Sequence, residues 1–508
     1  MKMNRNLYRA FLLITFLTLN GLILYGISSI WSYLNTGADR KTMLHLPAQL
    51  TSNYLPKVNW SPLNNDGRPM ELQTLQELER DYVKAWYVKN NALETNNHYG
   101  INDYYTDSAR VKLYKVLDHN KANNISVKTT TIEHNPILNF YSADGKLAVL
   151  TDKNVQIQEQ VFVDNTSFLK RSYESSFQAM LLLEDGFWRV RHLVEIENTP
   201  VSVSTDQSIP QAVLSEIRDI KGLNYYPREN PWNMFGKHFQ DTIIDSDFSK
   251  IKSLGLNSIR IFIPYEGFGK ATVETDKMSQ LLRTMDLASK NKLKVTVTLF
   301  DFYGDYSLAD WTLTHRHAEK IITALKDHKA LQAWDIKNEP DLDFNSRGKE
   351  NVLSWLGQMV KEIRKWDNNT PITIGWSNPE AALNLTTELD FISFHYYRKP
   401  KDFLASYNAL QDAINNKPIV LQEYGYSSYD GIWNAYMGSE EDQANYYKEM
   451  QTMITNAKLP FLLWTLYDFT EVPDNVVGRL PWRKSQQQHF GLLDNQGNLK
   501  PAYQEIIN

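Results

Sequence analysis

Two glutamates in this chain each follow an apolar run and precede turn residues. The first ends the string Trp334-Asp335-Ile336-Lys337-Asn338-Glu339-Pro340, and the second stands in Val420-Leu421-Gln422-Glu423-Tyr424-Gly425. An acid at the end of a buried strand is costly unless it has work to do. Two such acids at the C-terminal ends of two strands of one barrel can flank a glycosidic bond. One would protonate the leaving oxygen and the other would attack the sugar.

The elements needed to position them are present. From Ile217 onward the chain alternates strand, loop and helix. Apolar runs occur at Gly222–Tyr226, Ser258–Ile263, Lys294–Phe300, Ala333–Ile336, Ile372–Ile374, Phe391–Phe394, Ile419–Gln422 and Phe461–Trp464. Eight strands with helices between them predict an α/β fold of the (β/α)8 TIM-barrel type over residues 215–508. An open doubly wound sheet is the structural alternative, but no glycine-rich phosphate loop follows the first strand.

Barrel active sites lie where the strands end. There the sequence offers Tyr225 and Tyr226, Arg260, Asp301 with Tyr303, Asn338 with Glu339, Trp376, His395 with Tyr397, Glu423 and Trp464. Tyr225, Trp232, Trp311, Trp376 and Trp482 are candidate sugar platforms. Apolar neighbours such as Trp334 are expected to favour a protonated Glu339, and Arg260 with Tyr397 an ionised Glu423.

On these motifs the C-terminal region resembles the clan A glycoside hydrolases, close to the cellulase-like family 5 pattern. The resemblance implies Glu339 as acid/base and Glu423 as nucleophile of a retaining double displacement. It implies Asn338 on the sugar 2-hydroxyl, Arg260, His395 and Tyr397 around the carboxylates, and Trp464 beneath the sugar. The third strand departs from the family pattern. Asp301 or Tyr303 is expected to fill the space usually taken by a histidine. No metal and no organic cofactor is required. The same residues would serve a transglycosylase, and an inactive carbohydrate-binding scaffold is the non-enzymatic alternative.

Upstream, residues 69–198 change period. Leu72, Leu75, Leu78, Tyr82, Ala85 and Trp86 recur at helical spacing, and a second helix is expected over Ser108 to Asn120. Alternating strands follow from Lys128 to Ile196, with turns at Asp144-Gly145 and Asp185-Gly186. This is an α+β, cone-like domain. Its element order, with Tyr104-Tyr105-Thr106-Asp107 and Glu184-Asp185-Gly186-Phe187-Trp188-Arg189-Val190, resembles the nuclear transport factor 2-like (SnoaL-like) superfamily. It shows no convergent acid/base pair in the sequence and reads as a structural or docking module. Residues 35–68 and 199–214, rich in turn formers, read as linkers.

Residues 10–34 carry no charge and are mostly apolar. That length spans ~30 Å of hydrocarbon as a helix, so a single-pass transmembrane anchor is expected. Lys2, Arg5 and Arg9 precede it, which places residues 1–9 in the cytoplasm and the domains outside. The rival reading is a cleaved signal with a poor site at Thr36-Gly37-Ala38, but the run exceeds the usual signal core. Expected partners are a carbohydrate substrate, the membrane and a polysaccharide-synthesis machinery at the cell surface.

The net charge is −5, with no basic block, which disfavours nucleic-acid binding. With no cysteine, disulfides and thiolate sites are excluded. His315 and His317 are neighbours on one helix, too few ligands for a metal site.

Overall fold

The computed structural model describes residues 5–35, 54–200, 209–414, 416–436 and 438–507. Residues 36–53 and 201–208 of the expected linkers, with the Thr36-Gly37-Ala38 site, lie outside them. Over the C-terminal region, eight parallel strands close on themselves: β8 (Lys221–Asn224), β9 (Ser258–Pro264), β10 (Lys294–Asp301), β11 (Leu331–Asn338), β12 (Ile372–Trp376), β13 (Ile392–Tyr396), β14 (Ile419–Tyr424) and β15 (Phe461–Leu463). The last pairs with the first, Phe461 opposite Lys221. The barrel expectation therefore holds, and the open-sheet alternative does not.

These strands are buried on both faces, because helices cover the outside and side chains fill the inside. That is why they read as continuous Ile/Val/Leu runs rather than alternating ones. Two register irregularities matter for the rim. One lies in β11 between Asp335 and Asn338, and one in β13 between Phe394 and His395. The second sets His395 opposite Glu423 on β14. Such irregularities re-aim side chains beside active sites.

The upstream domain is a seven-stranded sheet. Its strands are β1 (Lys57–Val58), β2 (Asp66–Gly67), β3 (Ile125–Thr131), β4 (Glu133–Tyr141), β5 (Leu147–Val163), β6 (Thr166–Glu184) and β7 (Phe187–Pro200). The helix Leu72–Thr95 lays Leu75, Leu78, Tyr82, Ala85 and Trp86 on it, and the second helix runs Asp107–Ala122. The sequence placed residues up to 68 in a linker. Instead β1 and β2 both pair in parallel with β4 and belong to the sheet. Backbone pairing, which leaves no side-chain period in two-residue strands, hid them.

The N-terminal helix runs Arg5–Asn35. Its described side chains are confined to residues 14–28 and 30. Among the described residues no helix is long and apolar enough to cross a membrane, so the expected transmembrane span is not borne out there.

Candidate active site

The floor of the site is a buried charge cluster inside the barrel. Arg260 on β9 is fully buried and donates to Asp335 on β11 through Nη2 at 2.6 Å and through Nε at 3.0 Å. It also donates to Asn224 Oδ1 at 3.0 Å and to Asn338 Oδ1 at 2.9 Å. The Thr298 hydroxyl and the amide N–H of Gly375 also donate to Asp335, at 2.7 and 2.9 Å. A buried ion pair needs this degree of satisfaction to survive desolvation. Glycine at position 375 leaves room for these groups. A Cβ there would sit 2.6 Å from Gln422 Oε1 and 2.7 Å from Arg260 Nη2.

Above this floor stand the two glutamates. Glu339, which follows β11, adopts φ 46°, in the left-handed region, and its N–H donates to Gly375 O at 2.7 Å. Glu423 lies in β14, with Oε1 3.8 Å from Arg260 Nη1. His395, fully buried, joins them: its Nδ1 is 3.0 Å from Glu339 Oε1 and 2.8 Å from Glu423 Oε2. The ligating atoms of all three lie within 4.8 Å of one another. Burial acts to lower the pKa of His395. The charge of Glu423 and the hydrogen bond to Glu339 outweigh it and push the imidazole up to about 9. At neutral pH it is a cation lying between the two glutamates. These three groups could ligate a metal, but the imidazole would first have to release the proton that the carboxylates hold on it.

The cleft over these groups has a volume of about 580 Å³. Tyr226, Trp232, Asp301, Asn338, Tyr397 and Trp464 line it beside Glu339 and Glu423. Tyr226 stacks on Phe262 at 5.1 Å and donates to Asp301 at 3.3 Å. The Tyr397 phenol is driven well above its ordinary pKa, first by burial and then by the charges of Glu423 and Glu339.

Several expectations are corrected. Tyr225 is fully buried on the outer side of the barrel, where it donates to Asp247 at 2.9 Å and packs on Phe248. Its neighbour Tyr226 faces the cleft, because adjacent residues of an extended chain point to opposite faces. Trp376 is fully buried and is absent from the cleft wall. Trp334 turns away from Glu339 and donates to Asp367 at 2.9 Å. Arg260 and His395 lie beneath the substrate space and act on the carboxylates. Asp301 reaches the cleft, whereas Tyr303 packs on Trp355 at 4.8 Å. Of the proposed platforms, Trp232 and Trp464 line the cleft. Asp335 and Asn224 were missed, although Asp335 stands in the string that carries Glu339.

Residues 222–470 match the family model for Cellulase (glycosyl hydrolase family 5). The chain is similar to a beta-glucuronidase of Chlorocebus aethiops, 21% identical over 263 residues, covering 48% of this chain and 38% of the relative. It is also similar to mannan endo-1,4-beta-mannosidase 3 of Solanum lycopersicum, 26% identical over 144 residues, covering 21% of this chain and 35% of the relative. The chain thus spans little more than a third of the length of these curated relatives. Among solved structures it is similar to the exo-beta-1,4-mannosidase Op5Man5 from Opitutaceae bacterium strain TAV5. That match has 19% identity and a TM-score of 0.45, covering 56% of this chain and 58% of that one.

Proposed function

We propose, from the premise that residues 222–470 form a glycoside hydrolase domain, that the protein is a retaining β-glycosidase acting on a neutral poly- or oligosaccharide. The observation that carries this is the pair Glu339 and Glu423 held by one imidazole, with oxygens within 4.8 Å. That separation suits a nucleophile and an acid/base acting on one anomeric carbon. Inverting pairs stand about 6.5–9.5 Å apart to admit a water.

In the first step a Glu423 oxygen forms a bond to the anomeric carbon as the glycosidic C–O bond breaks, and Glu339 gives its proton to the departing oxygen. In the second, Glu339 takes a proton from water, whose oxygen displaces Glu423 and restores the original configuration. Arg260 and His395 face the attacking Glu423 from the barrel floor, at 3.8 and 2.8 Å from its oxygens. The proton on His395 can follow the charge between the two glutamates as each in turn gains and loses it. A transglycosylase would use the same groups, with a sugar hydroxyl in place of water.

The cleft wall favours a neutral sugar over a uronide. Its acidic residues are Asp301, Glu339 and Glu423, and among the described residues no Lys or Arg lines it to receive a sugar carboxylate. A panel of aryl β-glycosides with NMR of the first-formed anomer tests the reading. Inertness toward every neutral glycoside, or a first product of inverted configuration, would overturn it.

The tether and location also belong to this proposal. The uncharged stretch 10–34, with Lys2, Arg5 and Arg9 before it, supports a single-pass anchor with the catalytic domain outside the cytoplasm. The sheet domain is assigned to the nuclear transport factor 2-like superfamily on its element order, and a polysaccharide-synthesis machinery is the proposed partner. The protein should stay in the membrane fraction after a salt wash. Recovery of soluble protein beginning near Asp39 would show a cleaved signal instead.

A further inference from the structure

The sheet domain is fastened to the barrel on the flank behind Glu339. The segment entering β1 runs along the helix Trp311–Leu325. Leu55 N–H donates to Thr312 Oγ1 at 3.0 Å, and Arg316 donates to the carbonyls of Leu55 and Pro56 at 3.2 and 2.8 Å. Lys57 pairs with Glu319 at 2.5 Å. Between β3 and β4, Ile132 is only 2% exposed and packs with the barrel's core rather than with the core of its own domain. It meets a face made by Trp311, Thr314, His315, Trp355 and Met359, with a residual cavity of about 10 Å³. That gap is no larger than one water.

From this face a continuous packed path leads to the turn behind Glu339. Trp355 donates to Thr314 Oγ1 at 3.1 Å, and its ring lies against Phe300, Tyr303 and Tyr306 at 5.0, 4.8 and 5.4 Å. Trp311 donates to Tyr306 O at 3.2 Å. Tyr306 Oη donates to Asp343 Oδ2 at 2.6 Å. Asp343 closes the 3-10 turn Pro340–Asp343, whose leading residue is Glu339. The turn is pinned on its other side by Asp341, which accepts from Ser377 N at 3.0 Å. Glu339 needs such support. A non-glycine residue in the left-handed region is strained and persists only when its surroundings over-determine it.

We propose that the sheet domain is a positioning element of the acid/base. By seating Ile132 on the Trp311–Trp355 face, it fixes Tyr306, and Tyr306 through Asp343 fixes the turn that aims Glu339. Ile132, Tyr306 and Asp343 are then positioning residues, with no contact to substrate. This rests on the glycosidase reading for its chemical consequence, and on packing alone for its mechanical one. It gives the structural module read from the sequence a specific task. A barrel cut off at Ser215 would expose Trp311, Trp355 and Met359.

Two variants of the full chain test it: Ile132→Ala at the interface, and the conservative Tyr306→Phe inside the barrel. Hydrogen exchange by mass spectrometry is read over residues 339–344, with β14 as the internal control. Both variants should speed exchange at 339–344 about tenfold and leave β14 unchanged. Turnover is read on a 2,4-dinitrophenyl glycoside, whose leaving group needs no proton, and on a phenyl glycoside, which does. The phenyl substrate should slow several-fold more than the activated one, because only its cleavage depends on the aim of Glu339. Unchanged exchange at 339–344 in both variants, or equal slowing on both substrates, overturns the proposal. If the unaltered protein turns over neither substrate, the glycosidase reading fails. The exchange measurement then still decides whether the sheet domain holds the turn.

Discussion

His395 in the barrel and His134 in the sheet domain are both fully buried imidazoles gripped by acids. His134 Nδ1 lies 2.6 Å from Asp152 Oδ2, and its Nε2 lies 2.8 Å from Thr131 Oγ1. Tyr82 donates to the same Asp152 oxygen at 2.9 Å, the Asn135 amide to the other at 2.8 Å, and Tyr54 meets Thr131. On residue types alone this second cluster has as much catalytic material as the first. The difference is access. Glu339 and Glu423 keep 22% and 7% of their side-chain surface open to a cleft, whereas Asp152 has none. Every partner of His134 is another buried protein group, so its network satisfies polarity in a core. The barrel's network leaves carboxylate oxygens for a substrate to meet.

The comparison can be broken from either side. The largest effect is expected at Glu423. Glu423→Ala should cut turnover by about 10⁴-fold or more, and azide or formate should partly restore it with inverted product, because a small anion can attack from the vacated space. Glu339→Ala should cost about 10²–10⁴-fold on substrates that need a proton. On an activated aryl glycoside the glycosyl-enzyme should accumulate, and azide should speed its breakdown to a retained product. Exchanged behaviour of the two variants would reverse their roles. Full activity in either would put the barrel cluster in the same structural class as His134.

From the other side, Asp152→Ala should act on stability. Removing one partner of a buried pair costs about 3–5 kcal/mol, to be read by denaturant unfolding, and activity should fall only as the domain unfolds. An equal loss of turnover on the activated and the phenyl glycoside in fully folded protein would show that the sheet domain has chemistry of its own, because a loosened Glu339 turn slows the phenyl substrate more.

The smallest effect concerns pH. His395 is raised to about 9 from an ordinary value of 6.5. A raised folded-state value means that its contribution to stability is complete below pH 6.5 and is lost as pH rises through about 9. The contribution is at most about 3 kcal/mol. Unfolding midpoints across that window should fall in the unaltered protein and stay flatter in His395→Asn. Equal slopes would remove the shared-proton account of the site.

Much of the site was legible because its signals are local. Glu339 follows one strand and Glu423 stands near the end of another, and eight such strands in succession leave few other architectures. What was not legible depended on distance or on phase. Asp335 stood in view, but its partner Arg260 is 75 positions away, and only barrel closure brings them together. Tyr225 and Tyr226 are neighbours, and a strand apolar on both faces gives no phase from which to choose the inward one. His134 and Asp152 join across β4 and β5, two strands whose register no motif announced.

The amino-acid sequence by itself determined the barrel and set Glu339 and Glu423 at the ends of two of its strands. Each is encoded in a run of a few residues whose burial period and turn chemistry are local properties. Tertiary structure decided which tyrosine faces the cleft, that one imidazole serves both glutamates, that the second histidine is sealed away, and that the sheet domain braces the flank behind Glu339. Those outcomes depend on which surfaces meet, and contact across long stretches of chain is settled only by the packing of the whole.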